Sequence, residues 1–170
     1  IVAAGAAGSS SSSGLMAVVR YKQNGELDQS FGSRYPGRTT TVIRGMIDEA
    51  GAVAIQSDGK IISAGRSRVS NRYAFSVIRQ NPDGSLDPTF GVNGSLFTKI
   101  GIGDTDSEAR SIALQADGKI VVAGRLFDAN NASQSMYYFA VVRYLPNGSL
   151  DTTFDGDGIK VITAPNEDNQ

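Results

Sequence analysis

Ala113-Leu-Gln-Ala-Asp-Gly-Lys-Ile-Val-Val-Ala-Gly124 is the stretch that decides the fold. It opens inside a short apolar run, Ile112 to Gln115. Asp117-Gly118 then makes a tight turn, since glycine takes positive φ without steric cost. Lys119 to Ala123 suits a buried strand, and Gly124 is expected to end it. The same hairpin stands earlier as Val53-Ala-Ile-Gln-Ser-Asp-Gly-Lys60 followed by Ile61-Ile-Ser-Ala-Gly65. Ile1-Val-Ala-Ala-Gly5 repeats its second half once more. Self-similarity of this kind marks a repeat architecture.

Outward from the hairpin, the copies continue in step. Val18-Val-Arg20, Val77-Ile-Arg79 and Val141-Val-Arg143 belong to third strands, expected over Met16 to Tyr21, Tyr73 to Arg79 and Tyr138 to Tyr144. Variable loops are expected before them, at Ala6 to Gly14, Arg66 to Asn71 and Arg125 to Ser135. Asn24-Gly25, Asp83-Gly84 and Asn147-Gly148 are turn dipeptides. The Leu-Asp-x-x-Phe stretch after each reads as a compact turn whose Leu and Phe enter the core, because Pro88 lacks a ladder donor. Fourth strands follow at Thr39 to Ile43, Ser95 to Ile100 and Ile159 to Thr163. No helical periodicity occurs. The chain therefore reads as all-β: about three repeats of roughly 60 residues, each a propeller blade of four antiparallel strands, the first incomplete. The units are approximately 1–48, 49–107 and 108–170 of a single segment, 1–170. A β-solenoid is the alternative, but its coils repeat at shorter intervals.

Ala113 to Gly124, together with Val142-Arg-Tyr-Leu-Pro-Asn-Gly-Ser-Leu-Asp-Thr-Thr-Phe154, resembles the delta-60 repeat. The resemblance covers nearly the whole chain. It implies a bacterial β-propeller repeat of large exported proteins, hence an extracellular, periplasmic or cell-surface location, and no particular reaction. The middle copy departs at Ser63 and Gln80, where apolar or aromatic residues are usual, and the first copy departs around Ser33 to Arg38.

Bulk composition removes several classes of function. The 170 residues carry a net charge of −1, which gives no electrostatic case for nucleic acid or an anionic membrane. No apolar run approaches a membrane span. There is no cysteine and no histidine, so this chain holds no thiolate or imidazole metal site and no Ser-His-Asp or Cys-His catalytic set. Ile1 to Gly14 aligns with later strands and reads as structure, not as a leader.

The charges that stand out recur. Arg20, Arg79 and Arg143 accompany Asp28, Asp87 and Asp151, either as a repeated anion or glycan site or as a bidentate pair pinning the turn; recurrence in every unit favours the pin. Asp58-Gly-Lys60 and Asp117-Gly-Lys119 read as hairpins with a solvent-facing lysine. Glu49 and Glu108 are expected in loops before the first strands, near a channel mouth. Asp104, Asp106 and Glu108, and separately Asp155 and Asp157, are calcium candidates, since calcium gathers about six to eight oxygens. No other cofactor is expected. Asn93-Gly-Ser95, Asn131-Ala-Ser133 and Asn147-Gly-Ser149 fit a glycosylation pattern but read as turns, and Ser9 to Ser13 reads as a flexible loop. One ring among Tyr137, Tyr138 and Phe139 is a sugar-stacking candidate.

The functional expectation is a non-catalytic binding or structural scaffold that presents loops to a protein or glycan. The alternative is a glycan hydrolase or lyase using Glu49 and Glu108. Propellers close with about four to eight blades, so the unit is expected to pack against further blades of a longer chain or in a homo-oligomer, through exposed sheet edges.

Overall fold

The computed structural model describes residues 1–10, 13–43, 47–101, 105–128 and 136–162. They form three antiparallel meanders. Blade one comprises β1 (Val2–Ser10), β2 (Ser13–Arg20) and β3 (Arg38–Thr41). Blade two comprises β4 (Asp48–Ile55), β5 (Ile61–Val69), β6 (Arg72–Gln80) and β7 (Ser95–Thr98). Blade three comprises β8 (Thr105–Leu114), β9 (Ile120–Asp128), β10 (Met136–Tyr144) and β11 (Ile159–Ile162). Strands follow chain order across each sheet, as propeller blades require. The described residues include no helix, and so none able to cross a membrane.

The Asp-Gly hairpins fix the register. Gly59 holds φ +84°, Gln56 N–H donates to the Lys60 carbonyl at 2.8 Å, and Ile55 then pairs with Ile61. The expected compact turns also form: Asp87 N–H donates to the Arg79 carbonyl (2.9 Å), and Phe90 N–H to the Asp87 carbonyl (3.1 Å). Phe31 and Phe90 are fully buried there, each such ring contributing about 2–3 kcal/mol. Around Ser33 to Arg38 blade one carries a longer connection, in which Gly37 accepts the bond from Arg20 that Gly94 accepts from Arg79.

The inner strands differ from expectation in length. Gly65 and Gly124 do not end strands but lie mid-strand, because β4 and β8 each bulge there, between Ala50 and Ala52 and between Ala109 and Ser111. The bulge brings the carbonyls of Glu49 and Glu108 onto the places where β-carbons would project, so only glycine fits. Beyond the glycine β5 pairs with β6 as far as Val69 and Arg72, leaving Ser70-Asn71 as the turn where a longer loop was expected. β9 likewise continues to Asp128 and β1 to Ser10. β3 and β7 stop at Thr41 and Thr98, short of the expected ends. Asp104, Asn131, Ser133 and Thr163 lie outside the described residues.

Blades pack face to face. Ile62, Ala64, Phe75 and Val77 of blade two meet Ala109, Ile120, Val122, Ala140 and Val142 of blade three in the main core. The core between blades one and two is smaller, around Val18, Phe31 and Ile61. Ser63 and Ser76 are buried on that side of blade two, and Gln80 donates to Thr39 Oγ1 (2.8 Å) and to the Gly84 carbonyl (2.9 Å). In blade three Tyr144 replaces Gln80 and reaches the Thr98 hydroxyl at 2.8 Å.

Candidate functional site

The repeated Arg–Asp motif is a joint. Nε of Arg20, Arg79 and Arg143 donates to Oδ2 of Asp28, Asp87 and Asp151 at 2.8, 2.8 and 2.7 Å. The pair is single-bonded, not bidentate. The second carboxylate oxygen accepts from the hydroxyl of Ser30, Thr89 or Thr153 at 2.7 Å, and Nη2 of the same arginine also reaches that hydroxyl. Nη1 leaves the blade: Arg79 donates to the Pro146 carbonyl of blade three at 2.6 Å, and Arg20 to the Pro82 carbonyl of blade two. Each guanidinium also covers the following Phe ring.

Lys60 and Lys119 turn inward to this carboxylate, at 3.0 Å from Asp87 and 3.3 Å from Asp151, instead of standing in solvent. Asp28 and Asp151 are held below the usual carboxylate range, chiefly by the Ser30 and Thr153 hydroxyls. At Asp87 burial pushes the other way, but Thr89, Lys60 and Arg79 together outweigh it and the net shift is down.

The second constellation forms a cleft of about 270 Å³ between blades two and three. Glu108 lines it and Glu49 adjoins it through Arg66; the two acids lie within β8 and β4 and not in loops before them, paired across the sheet with Arg125 and Arg66. Arg66 Nη2 lies 2.8 Å from Glu49 and its Nη1 3.9 Å from Glu108, so one guanidinium bridges the acids of two blades. Arg110 and Arg125 approach Glu108 at 3.1 and 2.9 Å. Arg66 stacks on Tyr73 (4.4 Å) and Arg125 on Tyr137 (5.1 Å), while Tyr137 leans on Phe127 at 5.1 Å. Asp106 accepts from the Tyr73 amide at 2.7 Å and lies 3.6 Å from Arg72. Ser107 lines the cleft, is 2% exposed, and its hydroxyl meets no partner among the described residues.

Asp155 pairs with Lys160 at 2.9 Å, and Asp157 caps the Ile159 amide at 2.8 Å. No group of three or more acids gathers for a metal ion among the described residues. Tyr138 and Phe139 lie outside the cleft. Sequence reasoning missed Arg66, Arg125 and Tyr73. The signal was present: Arg66 and Arg125 each stand 17 residues after Glu49 and Glu108, and Tyr73 and Tyr137 stand at one matched distance before Arg79 and Arg143.

A family model described as a domain of unknown function, DUF5122, a β-propeller, matches residues 1–31, 56–90 and 115–154, more than half of the sequence. The chain belongs to the DUF5122 β-propeller family. The matched segments carry the three Arg–Asp–Phe joints and two Asp-Gly-Lys hairpins, so what defines this DUF5122 chain is its blade-building motif. Glu49, Asp106 and Glu108 fall outside the matched segments. A search of curated proteins found no match.

Proposed function

We propose that this DUF5122 chain is a non-catalytic, delta-60-type repeat module of a secreted or cell-surface bacterial protein, and that it binds glycan in the cleft between blades two and three. The observation that carries the reading is the arrangement of Tyr73, Tyr137 and Phe127 around fixed polar groups. Aromatic faces suit the apolar face of a sugar ring, and oriented carboxylates and hydroxyls suit its edge.

Glycoside cleavage needs two carboxylates flanking an open space for the scissile bond. Here the Arg66 guanidinium lies between Glu49 and Glu108, which favours binding over hydrolysis. The variable-loop basis for a scaffold weakens, since Ser70-Asn71 is a short turn, so recognition rests on the cleft.

The test is calorimetric titration with neutral oligosaccharides chosen from a glycan array. Tyr73→Ala and Tyr137→Ala are each expected to weaken binding at least about ten-fold, since a lost stacking ring removes about 1.4 kcal/mol or more. No glycan bound, or binding indifferent to both substitutions, would overturn the ligand assignment. New reducing ends released by the intact chain, and lost in Glu108→Gln, would overturn the non-catalytic assignment.

A further inference from the structure

The outer faces of the end blades carry residues whose counterparts form the cores between blades. On blade three, Val121, Ala123, Phe139 and Val141 face away from blade two. Their counterparts Ile62, Ala64, Phe75 and Val77 are all fully buried, whereas Phe139 is 52% exposed. On blade one, Ala3, Leu15, Ala17 and Val19 alternate with the residues that face blade two. Their counterparts Ser63, Ala74, Ser76 and Ile78 are buried between blades one and two. The open surfaces are thus sheet faces, not the edges expected from the sequence.

The joints repeat this asymmetry. Gly32 N–H donates to the Asp83 carbonyl (2.8 Å) and Gly91 N–H to the Asn147 carbonyl (2.9 Å), seating the Asp-Gly or Asn-Gly turn of each blade in a socket on the blade before. The seat is tight: a β-carbon on Gly84 would lie 3.0 Å from Phe31, and one on Gly148 3.1 Å from Phe90. Blade three builds the same socket from Arg143, Asp151 and Phe154, and Asp155 holds φ +52° beside the +55° of its counterpart Gly91. None of the described residues seats a turn in it. Blade one builds the same turn, Asn24-Gly25 with φ +85°, and nothing lies within 4 Å of a β-carbon placed on Gly25.

We propose that this chain associates with a second copy of itself head to tail. The Asn24-Gly25 turn and the Ala3–Val19 face of one copy seat on the Arg143–Phe154 socket and the Phe139–Val141 face of the next. The Asp155–Lys160 pair borders the contact. The interface continues the one between blades and uses two different surfaces, so it is heterologous and produces closed rings or open chains. It does not depend on the glycan reading.

Sedimentation velocity of the 170-residue chain over a wide concentration range tests this. The mass is expected to rise with concentration. Gly25→Asn fills the turn with a residue that tolerates positive φ at an uncrowded position, so the melting temperature should hold while association weakens at least about ten-fold. Arg143→Lys keeps a charge beside Asp151 but loses the fork that reaches outward, and should weaken association likewise. Mixed together, the two variants retain one good head and one good tail and should form a one-to-one complex and nothing larger. A wild-type chain monomeric at every concentration, or association undiminished in Gly25→Asn, would overturn the proposal.

Discussion

Replacing Arg79 by Met should cost far more than the same change at Arg143, although both occupy the same place in the repeat. The Arg79 side chain is 7% exposed and its partner Asp87 4%. Removing one member of a buried pair leaves the other charge uncompensated, at roughly 3–5 kcal/mol. Lys60 stays 3.0 Å from Asp87 and Thr89 keeps both of its bonds, which places the cost at the low end, about 3 kcal/mol. The bond to the Pro146 carbonyl, and with it a clamp between blades, also goes. For a chain of this length about 3 kcal/mol lowers Tm by roughly 6–12 °C. Asp151 is as buried as Asp87, at 3%, and keeps Lys119 at 3.3 Å, but Arg143 itself is 21% exposed and clamps no later blade among the described residues, so water can replace it and Arg143→Met should lose less than half as much. Circular dichroism melts, repeated at two protein concentrations to separate folding from self-association, measure both. Equal shifts for the two variants would refute the reasoning, because they would mean that the pin within the blade dominates and the clamp between blades contributes little.

Thr98→Val should destabilise by about 1–3 kcal/mol, since Tyr144 is 1% exposed and its hydroxyl would lose its partner, while Thr98→Ser should be nearly silent; urea midpoints separate them. Acid should unfold the chain through the joints. Asp28, Asp87 and Asp151 are depressed in the folded state, so below the unfolded carboxylate value of about 3.9 the unfolded chain binds more protons. Stability should be fully present above that value and fall as pH drops through the lower folded values, with a shallower fall in Asp87→Asn; a urea midpoint that stays level from pH 5 to pH 2 would contradict it.

Most of the fold was readable because turns and periodicity are local. Asp-Gly and Asn-Gly demand positive φ, and alternation places Val77 and Phe75 on one face without reference to the rest of the chain. Gly65 and Gly124 misled because their cause is not local. They answer a bulge in the neighbouring strand, and nothing in the run Ile61 to Gly65 tells a stop from a close approach. Lys60 misled for the same reason: its carboxylate partner lies on the far side of the sheet, after β6. Strands that end at the glycines put Arg66 and Arg125 in loops, so the sequence offers Glu49 and Glu108 without the arginines that hold them.

Repetition and function pull in opposite directions in this molecule. The Arg–Asp joint appears three times because each blade must be clamped to another, and a device required at every joint marks none as special. The cleft needs Arg and Tyr on two adjoining blades. Blade one carries Ala6 where blade two has Arg66, and Gly14 where it has Tyr73. The junction between blades one and two therefore lacks the stacked pair, and its buried surface is given instead to Ser63, Ser76 and Gln80. Placing Arg at Ala6 and Tyr at Gly14 should rebuild the blade-one half of the constellation, but Ile47 stands where blade three has Asp106, so the graft would still lack that acid. On the proposed glycan reading, ligand preference is thus written in the departures from the repeat, and the repeat itself specifies how the blades are joined.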